Sequence, residues 1–148
     1  MITYRELQPA DMAAIFEVRI KTWHNPHGAE ELLRLGITPE SVIAMLHTSH
    51  RGWVAVDAGQ VIGFVMGNQQ TGEMWVIAVL PDYENRGVGR RLLTLVEDWL
   101  WCTGWKELWL TTDPDENFRA VGFYRRLGWV DWKFENGDRF MRKNPPLA

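Results

Sequence analysis

The segment Met74-Trp75-Val76-Ile77-Ala78-Val79-Leu80, followed by Pro81-Asp82-Tyr83-Glu84-Asn85-Arg86-Gly87-Val88-Gly89-Arg90-Arg91, decides the fold. Its first part is apolar without a break, as in a strand covered on both faces, and Pro81 ends it. In the second part, two glycines separated by one residue let the backbone turn tightly and aim consecutive N–H groups outward. From residue 87 to 103, Val88, Leu92, Leu95, Val96, Trp99 and Thr103 recur at helical spacing. The start of that helix adds about half a positive charge, so strand, loop and helix together suit a phosphate or diphosphate. Arg86, Arg90 and Arg91 add donors for phosphate oxygens. Other phosphate loops do not fit: G-x-x-x-x-G-K-[ST] is absent, and Leu92 stands where a dinucleotide fingerprint needs its third glycine.

On the N-terminal side, Ile2, Tyr4 and Glu6 alternate with Thr3, Arg5 and Leu7 in a first strand. The stripe Met12, Phe16, Arg19, Ile20 and Trp23 then predicts a helix. Thr38-Pro39-Glu40-Ser41 opens a second one, with Thr as cap, Pro at the first helical position, and Val42, Ile43 and Leu46 inward. Trp53-Val54-Ala55-Val56 and Val61-Ile62-Gly63-Phe64-Val65-Met66 flank Asp57-Ala58-Gly59-Gln60 as a hairpin. After the long helix come a strand over 107–111 and a helix over about 114–127 capped by Gly128. A last hairpin turns at Asn136-Gly137. The order β-α-α-β-β-β-α-β-α-β-β predicts an α/β fold, a mixed sheet flanked by helices, in a single domain over residues 1–148.

Composition narrows the function. With only Cys102 there is neither an internal disulfide nor a cysteine zinc site, and the chain is read as soluble and cytoplasmic. The longest apolar run is far short of a membrane span, so no membrane partner is expected. A net charge of −3 and a pI near 5.8 provide no bulk footprint for nucleic acid. His24-x-x-His27 and His47-x-x-His50 lack a carboxylate pattern of metal-site spacing, and no metal is expected. Ser41 and Ser49 lie in no G-x-S-x-G elbow. Nine tryptophans are unusual; Trp101 falls opposite the apolar face of the long helix, near Arg90, Thr94 and Glu97. Exposed there, and joined by Trp129 and Trp132 of the last hairpin, it makes a homodimer the expectation.

A second pattern follows: Asn117, Ala120 and Tyr124 recur along one helical face, ending at Gly128-Trp129. Together, the two segments across residues 74–129 resemble the GNAT superfamily of acetyl-CoA-dependent N-acyltransferases. That resemblance implies a central sheet splayed between the strand over 74–80 and the strand over 107–111. It also implies an acetyl donor held there: the backbones of Ile77, Ala78 and Val79 meet its pantetheine amides, and a strand N–H near Ile77 stabilises the oxyanion. The amides of Asn85, Arg86, Gly87, Val88, Gly89 and Arg90 cradle its diphosphate, and Asn117 contacts its arm. Tyr124 matches the tyrosine that protonates the departing thiolate, and Glu73 the glutamate that serves some members as general base. The acceptor is implied to be a primary amine of a small molecule or peptide. It is bordered by Trp23, at the end of the first helix, and by the segment between the first two helices, where His24, His27, Glu30 and Glu31 lie. One position departs from the pattern: Glu84 stands where Gln or Arg is usual, and a carboxylate beside a diphosphate is electrostatically wrong unless it pairs with a nearby arginine. That departure motivates an alternative reading, a non-catalytic acyl-CoA-binding sensor on the same fold.

Overall fold

In the computed structural model, residues 1–22 and 29–146 are described, with the side chains of 29–31 left aside. The chain forms β1 (Ile2–Glu6), α1 (Met12–Lys21), α2 (Ala29–Arg34), α3 (Pro39–Thr48), β2 (His50–Asp57), β3 (Gln60–Asn68) and β4 (Glu73–Val79). It continues with α4 (Val88–Cys102), β5 (Leu108–Thr112), α5 (Arg119–Arg126), β6 (Val130–Glu135) and β7 (Asp138–Lys143). The strands make one 7-stranded sheet in the order β1-β2-β3-β4-β5-β7-β6. Every neighbouring pair is antiparallel except β4 and β5.

Local chemistry explains most boundaries. Ala58 and Gly59, at φ 51° and 78°, and Asn136 and Gly137, at 54° and 85°, give two-residue turns with left-handed backbone at both positions, which suits the twist of a tight hairpin. Thr38 accepts the Ser41 N–H at 3.1 Å while Ser41 Oγ accepts the Thr38 N–H at 2.9 Å, so two otherwise unpaired donors at the start of α3 are satisfied. At the end of α5, the Gly128 N–H donates to the Arg125 carbonyl and the Trp129 N–H to that of Tyr124, the paired bonds of a left-handed cap.

Two apolar layers sandwich the sheet. On one side α4 and α5 pack Val88, Leu92, Val96, Leu100 and Tyr124 against Leu108, Leu110, Trp129 and Met141. On the other, α1 and α3 bring Met12, Ile15, Val18 and Val42 onto Val54, Phe64, Met66 and Ala78.

Several sequence expectations change. A third short helix, α2, stands before β2. Met12 of the expected α1 stripe is buried and Phe16 and Arg19 are half-buried beside it, but Ile15 and Val18 complete the inward face and Ile20 is exposed. Trp101 is half-buried against the α4 layer, and Trp129 lies in the core at 1% exposure, so neither offers the exposed seam expected of them. Trp132 does remain on the surface. Asn117 precedes α5 instead of lying on it. The Asp115 N–H donates to Asp113 Oδ1 at 2.8 Å and the Asn117 N–H to Asp115 Oδ1 at 2.9 Å; these side-chain turns compete with the first helical turns.

Glu97, expected on the exposed face of α4, is buried. It accepts the Trp129 indole N–H at 2.9 Å and the Lys143 ammonium at 2.8 Å, and thereby ties α4 to both ends of the last hairpin. Glu97→Ala leaves both donors without their acceptor in a largely dry site. A loss of about 2–4 kcal/mol is expected, visible as a lower thermal midpoint, with Glu97→Gln milder because its carbonyl oxygen still accepts the indole N–H.

Candidate active site

β4 and β5 pair at a single position, Glu73 opposite Trp109. Beyond it the edge of β4 that faces β5 is unpaired, while its other edge stays in register with β3 through Val65↔Ile77, Phe64↔Ala78 and Gly63↔Val79. The Leu80 N–H donates to the Ile62 carbonyl at 2.9 Å. Alternation from that bond turns the peptide groups of Ala78 toward β3 and those of Ile77 and Val79 into the gap. Of the three backbone positions expected to meet a ligand, Ile77 and Val79 therefore face the opening and Ala78 does not.

The gap runs into the glycine loop. Asn85 at φ 63° and Gly87 at φ 81° impose left-handed turns on either side of Arg86, a geometry that gathers successive N–H groups on a concave side. The Arg91 N–H makes the first bond of α4, to the Gly87 carbonyl, and Gly87 has no side chain to cap the helix. The N–H groups of Val88, Gly89 and Arg90 are thus left pointing outward from the helix start. At Gly89 a Cβ would come within 3.2 Å of the Phe123 ring, so glycine permits the close approach of α4 to α5. The loop is braced from below: Tyr83 donates to Asp57 Oδ2 at 2.7 Å, and the Arg86 guanidinium lies 5.1 Å from the Tyr83 ring centre. Arg91 is turned toward the Tyr4 ring, 5.9 Å away.

Tyr124 sits in the same apolar layer against which Ile77 and Val79 pack, between Phe123 and Trp129 at ring distances of 5.5 and 6.2 Å. Its residue exposure is 6%, and burial raises the phenol's pKa well above the ordinary range. The hydroxyl donates to no described residue.

Glu73 is at the base of the gap. Paired with Asn68, which shares a face with Phe64 and Met66, it projects to the α1/α3 side, whereas Tyr124 approaches from the α4/α5 side. A bulge in the β3–β4 ladder follows immediately, a device that re-aims strand side chains next to sites. The turn before Glu73 is fixed by two tryptophans: Trp105 Nε1 donates to the Gln69 carbonyl at 2.6 Å and Trp109 Nε1 to that of Thr71 at 2.9 Å. Burial without an ion-pair partner among the described residues pushes the Glu73 carboxyl up to about 7. On its face of the sheet, Phe16, Arg19, Phe64, Met66 and Trp75 line an apolar recess, where burial holds the Arg19 guanidinium below the usual arginine range.

The remaining sequence candidates divide. Asn117 is exposed in the loop before α5. Trp23, His24 and His27 lie outside the described residues, as do the side chains of Glu30 and Glu31. Among the described residues no three His, Cys, Asp or Glu side chains gather as a metal site would require, and no helix is long and apolar enough to cross a membrane. Sequence reasoning missed Arg119, whose Nη2 lies 3.0 Å from Asn85 Oδ1 and 3.4 Å from Glu84 Oε2. The pairing anticipated for Glu84 is therefore present, and the only signal for its partner was an arginine two residues after Asn117.

The site is thus a mixed sheet parted beside an amide-lined loop, with a phenol on one face and a half-buried carboxylate on the other. The chain belongs to the Acetyltransferase (GNAT) family, whose model matches residues 12–129. Its curated relatives include the mycothiol acetyltransferase of Arthrobacter sp. (strain FB24), 31% identical over 110 residues, which are 74% of this chain and 29% of that protein. The mycothiol acetyltransferase of Pseudarthrobacter chlorophenolicus is 34% identical over 91 residues, 55% of this chain and 28% of that protein. The chain thus spans less than a third of the length of these relatives. Among solved structures, the PaiA N-acetyltransferase from Thermoplasma acidophilum in complex with coenzyme A superposes with a TM-score of 0.85 at 19% identity, covering 98% of this chain and 99% of that one. The ribosomal-protein-S18-alanine N-acetyltransferase from Escherichia coli superposes with a TM-score of 0.76 at 21% identity, covering 100% and 96%. At these identities the superpositions establish the fold.

Proposed function

We propose that this chain is an N-acetyltransferase that passes the acetyl group of acetyl-CoA to a primary amine of a small molecule or peptide. The observation that carries the reading is the unpaired edge of β4, which leads from Glu73 past Ile77 and Val79 into the N–H groups at the start of α4. These groups suit the donor: Ile77 and Val79 offer peptide groups to an amide-bearing arm, and Val88, Gly89 and Arg90 offer outward N–H groups to a diphosphate. Bound acetyl-CoA supplies the thioester. The Ile77 N–H lies on the open edge, where it can meet negative charge developing on the carbonyl oxygen. Glu73 receives a proton from the acceptor ammonium, and the freed amine attacks the thioester carbonyl directly in a ternary complex to form the C–N bond. As the C–S bond breaks, the Tyr124 hydroxyl donates to the departing sulfur, the second amine proton restoring the phenol. A base is needed because an amine of pKa about 10.4 is neutral only about once in 2,500 molecules at pH 7.

Mixing the protein with acetyl-CoA and a panel of polyamines, aminoglycosides, amino acids and peptides, one of them alanine-terminated, and following thiol release tests this reading. Release with at least one acceptor, accompanied by an acetylated product in the mass spectrum, is the expected result. Tight coenzyme binding with no release across the panel would establish the sensor reading instead. A homodimer is part of the proposal. It now rests on the hairpin of β6 and β7, where Val130, Trp132 and Phe134 are exposed, rather than on Trp101.

A further inference from the structure

We infer that Arg119 is a phosphate-binding residue of the coenzyme cleft, positioned by Glu84 and Asn85; this rests on reading the cleft as a coenzyme A site. Arg119 opens α5, across from the glycine loop, and its Nη2 donates to Asn85 Oδ1 at 3.0 Å while standing 3.4 Å from Glu84 Oε2. The two partners are unequally placed. The Glu84 side chain is 11% exposed and the Arg119 side chain 46%, so an anchored carboxylate holds an open guanidinium over the loop.

A guanidinium has five N–H donors in a rigid fork, and a contact through Nη2 leaves others for a phosphate oxygen. Asn85 belongs to the loop that turns N–H groups outward, so the guanidinium stands beside the loop proposed to receive a phosphate. Charge supports the same placement. Glu84 unaccompanied would repel a phosphate, and beside Arg119 the pair is neutral. Arg86 and Arg91 meanwhile lie over the Tyr83 and Tyr4 rings. Arg119 thus supplies, from α5, the cation that the Glu84 position lacks.

The test is calorimetric titration of the full chain with coenzyme A and with its form lacking the 3′-phosphate, for wild type, Arg119→Met, Glu84→Gln and the double variant. Arg119→Met should weaken coenzyme A about tenfold or more, because it removes a charged hydrogen bond and exposes the ligand to an unneutralised Glu84. Adding Glu84→Gln to Arg119→Met should recover about threefold of that loss, since the repelling charge is gone. An equal loss with both ligands assigns the contact to the diphosphate, and a loss confined to coenzyme A assigns it to the 3′-phosphate. A change under twofold for Arg119→Met overturns the role of Arg119 alone. No recovery in the double variant overturns that of Glu84, and no binding by wild type overturns the cleft reading and the inference with it. Thermal midpoints without ligand monitor folding. If Arg119→Met does not fold, Arg119→Lys replaces it with at least a threefold loss expected, because one ammonium cannot span both loop and phosphate as the fork does.

Discussion

Tyr124→Phe is expected to lower turnover about a hundredfold while leaving coenzyme affinity within about twofold. The substitution removes one oxygen and keeps the ring between Phe123 and Trp129, where the packing of α5 on the sheet depends on it. Because the hydroxyl donates to no described residue, its loss strands no donor or acceptor in the core, and the thermal midpoint should barely move. Burial raises the phenol's pKa well above its ordinary value, so Tyr124 stays protonated across the working range and contributes no alkaline limb to the rate profile. A raised pKa also makes it a weaker acid. The same dry surroundings raise the proton affinity of a thiolate formed beside it, so a hydrogen bond there strengthens as charge develops on sulfur. Steady-state rates on the true acceptor, set beside titrations with coenzyme A, check this. Full activity in Tyr124→Phe would remove the donor role.

Features written in a few adjacent residues are legible in the sequence alone. The turns at Ala58-Gly59 and Asn136-Gly137, the cap at Thr38 and the left-handed stop at Gly128 each follow from short-range chemistry, and each stands where the sequence places it. What escaped depends on partners distant in the chain. Glu97 reads as a surface residue until Trp129 and Lys143, 32 and 46 positions away, bring their donors to it. Arg119 falls without remark inside the helix expected over about 114–127 until Glu84 and Asn85, on the far side of the gap, come within reach. The helical placement of Asn117 fails for the opposite reason. A helix expected from about Pro114 overlooks Asp113 and Asp115, whose side chains satisfy the local N–H groups and hold the backbone in turns. The tryptophans show both sides: their abundance was obvious, but the clamping of the turn before Glu73 by Trp105 and Trp109 required the sheet.

For Glu73→Gln the expected result is a rate about a hundredfold below wild type at pH 8, together with loss of a limb from the pH profile. A general base must be deprotonated to work, and burial holds this carboxyl up at about 7. Wild-type kcat/KM should therefore climb as pH rises through about 7 and fall below it, whereas an ordinary carboxylate would place that limb far into acid. The raised value also brings the base closer to an ammonium of about 10.4, which makes proton removal less uphill. In Glu73→Gln the limb should disappear, and the remaining activity should follow the acceptor's own ionisation. Stability supplies an independent check with a definite sign. Because the folded-state pKa lies above the unfolded one, the folded form binds the proton more tightly, and the stability linked to Glu73 is full below about 4.5 and lost as pH rises through about 7. Glu73→Gln carries no charge to desolvate, so above that range the variant should be the more stable protein, by about 1–2 kcal/mol after allowing for solvent screening. A variant that is slower yet more stable at pH 8, with the difference in stability vanishing at pH 4, would mark Glu73 as a carboxylate kept at a stability cost for its chemistry. A pH profile unchanged by the substitution would instead assign proton removal to water.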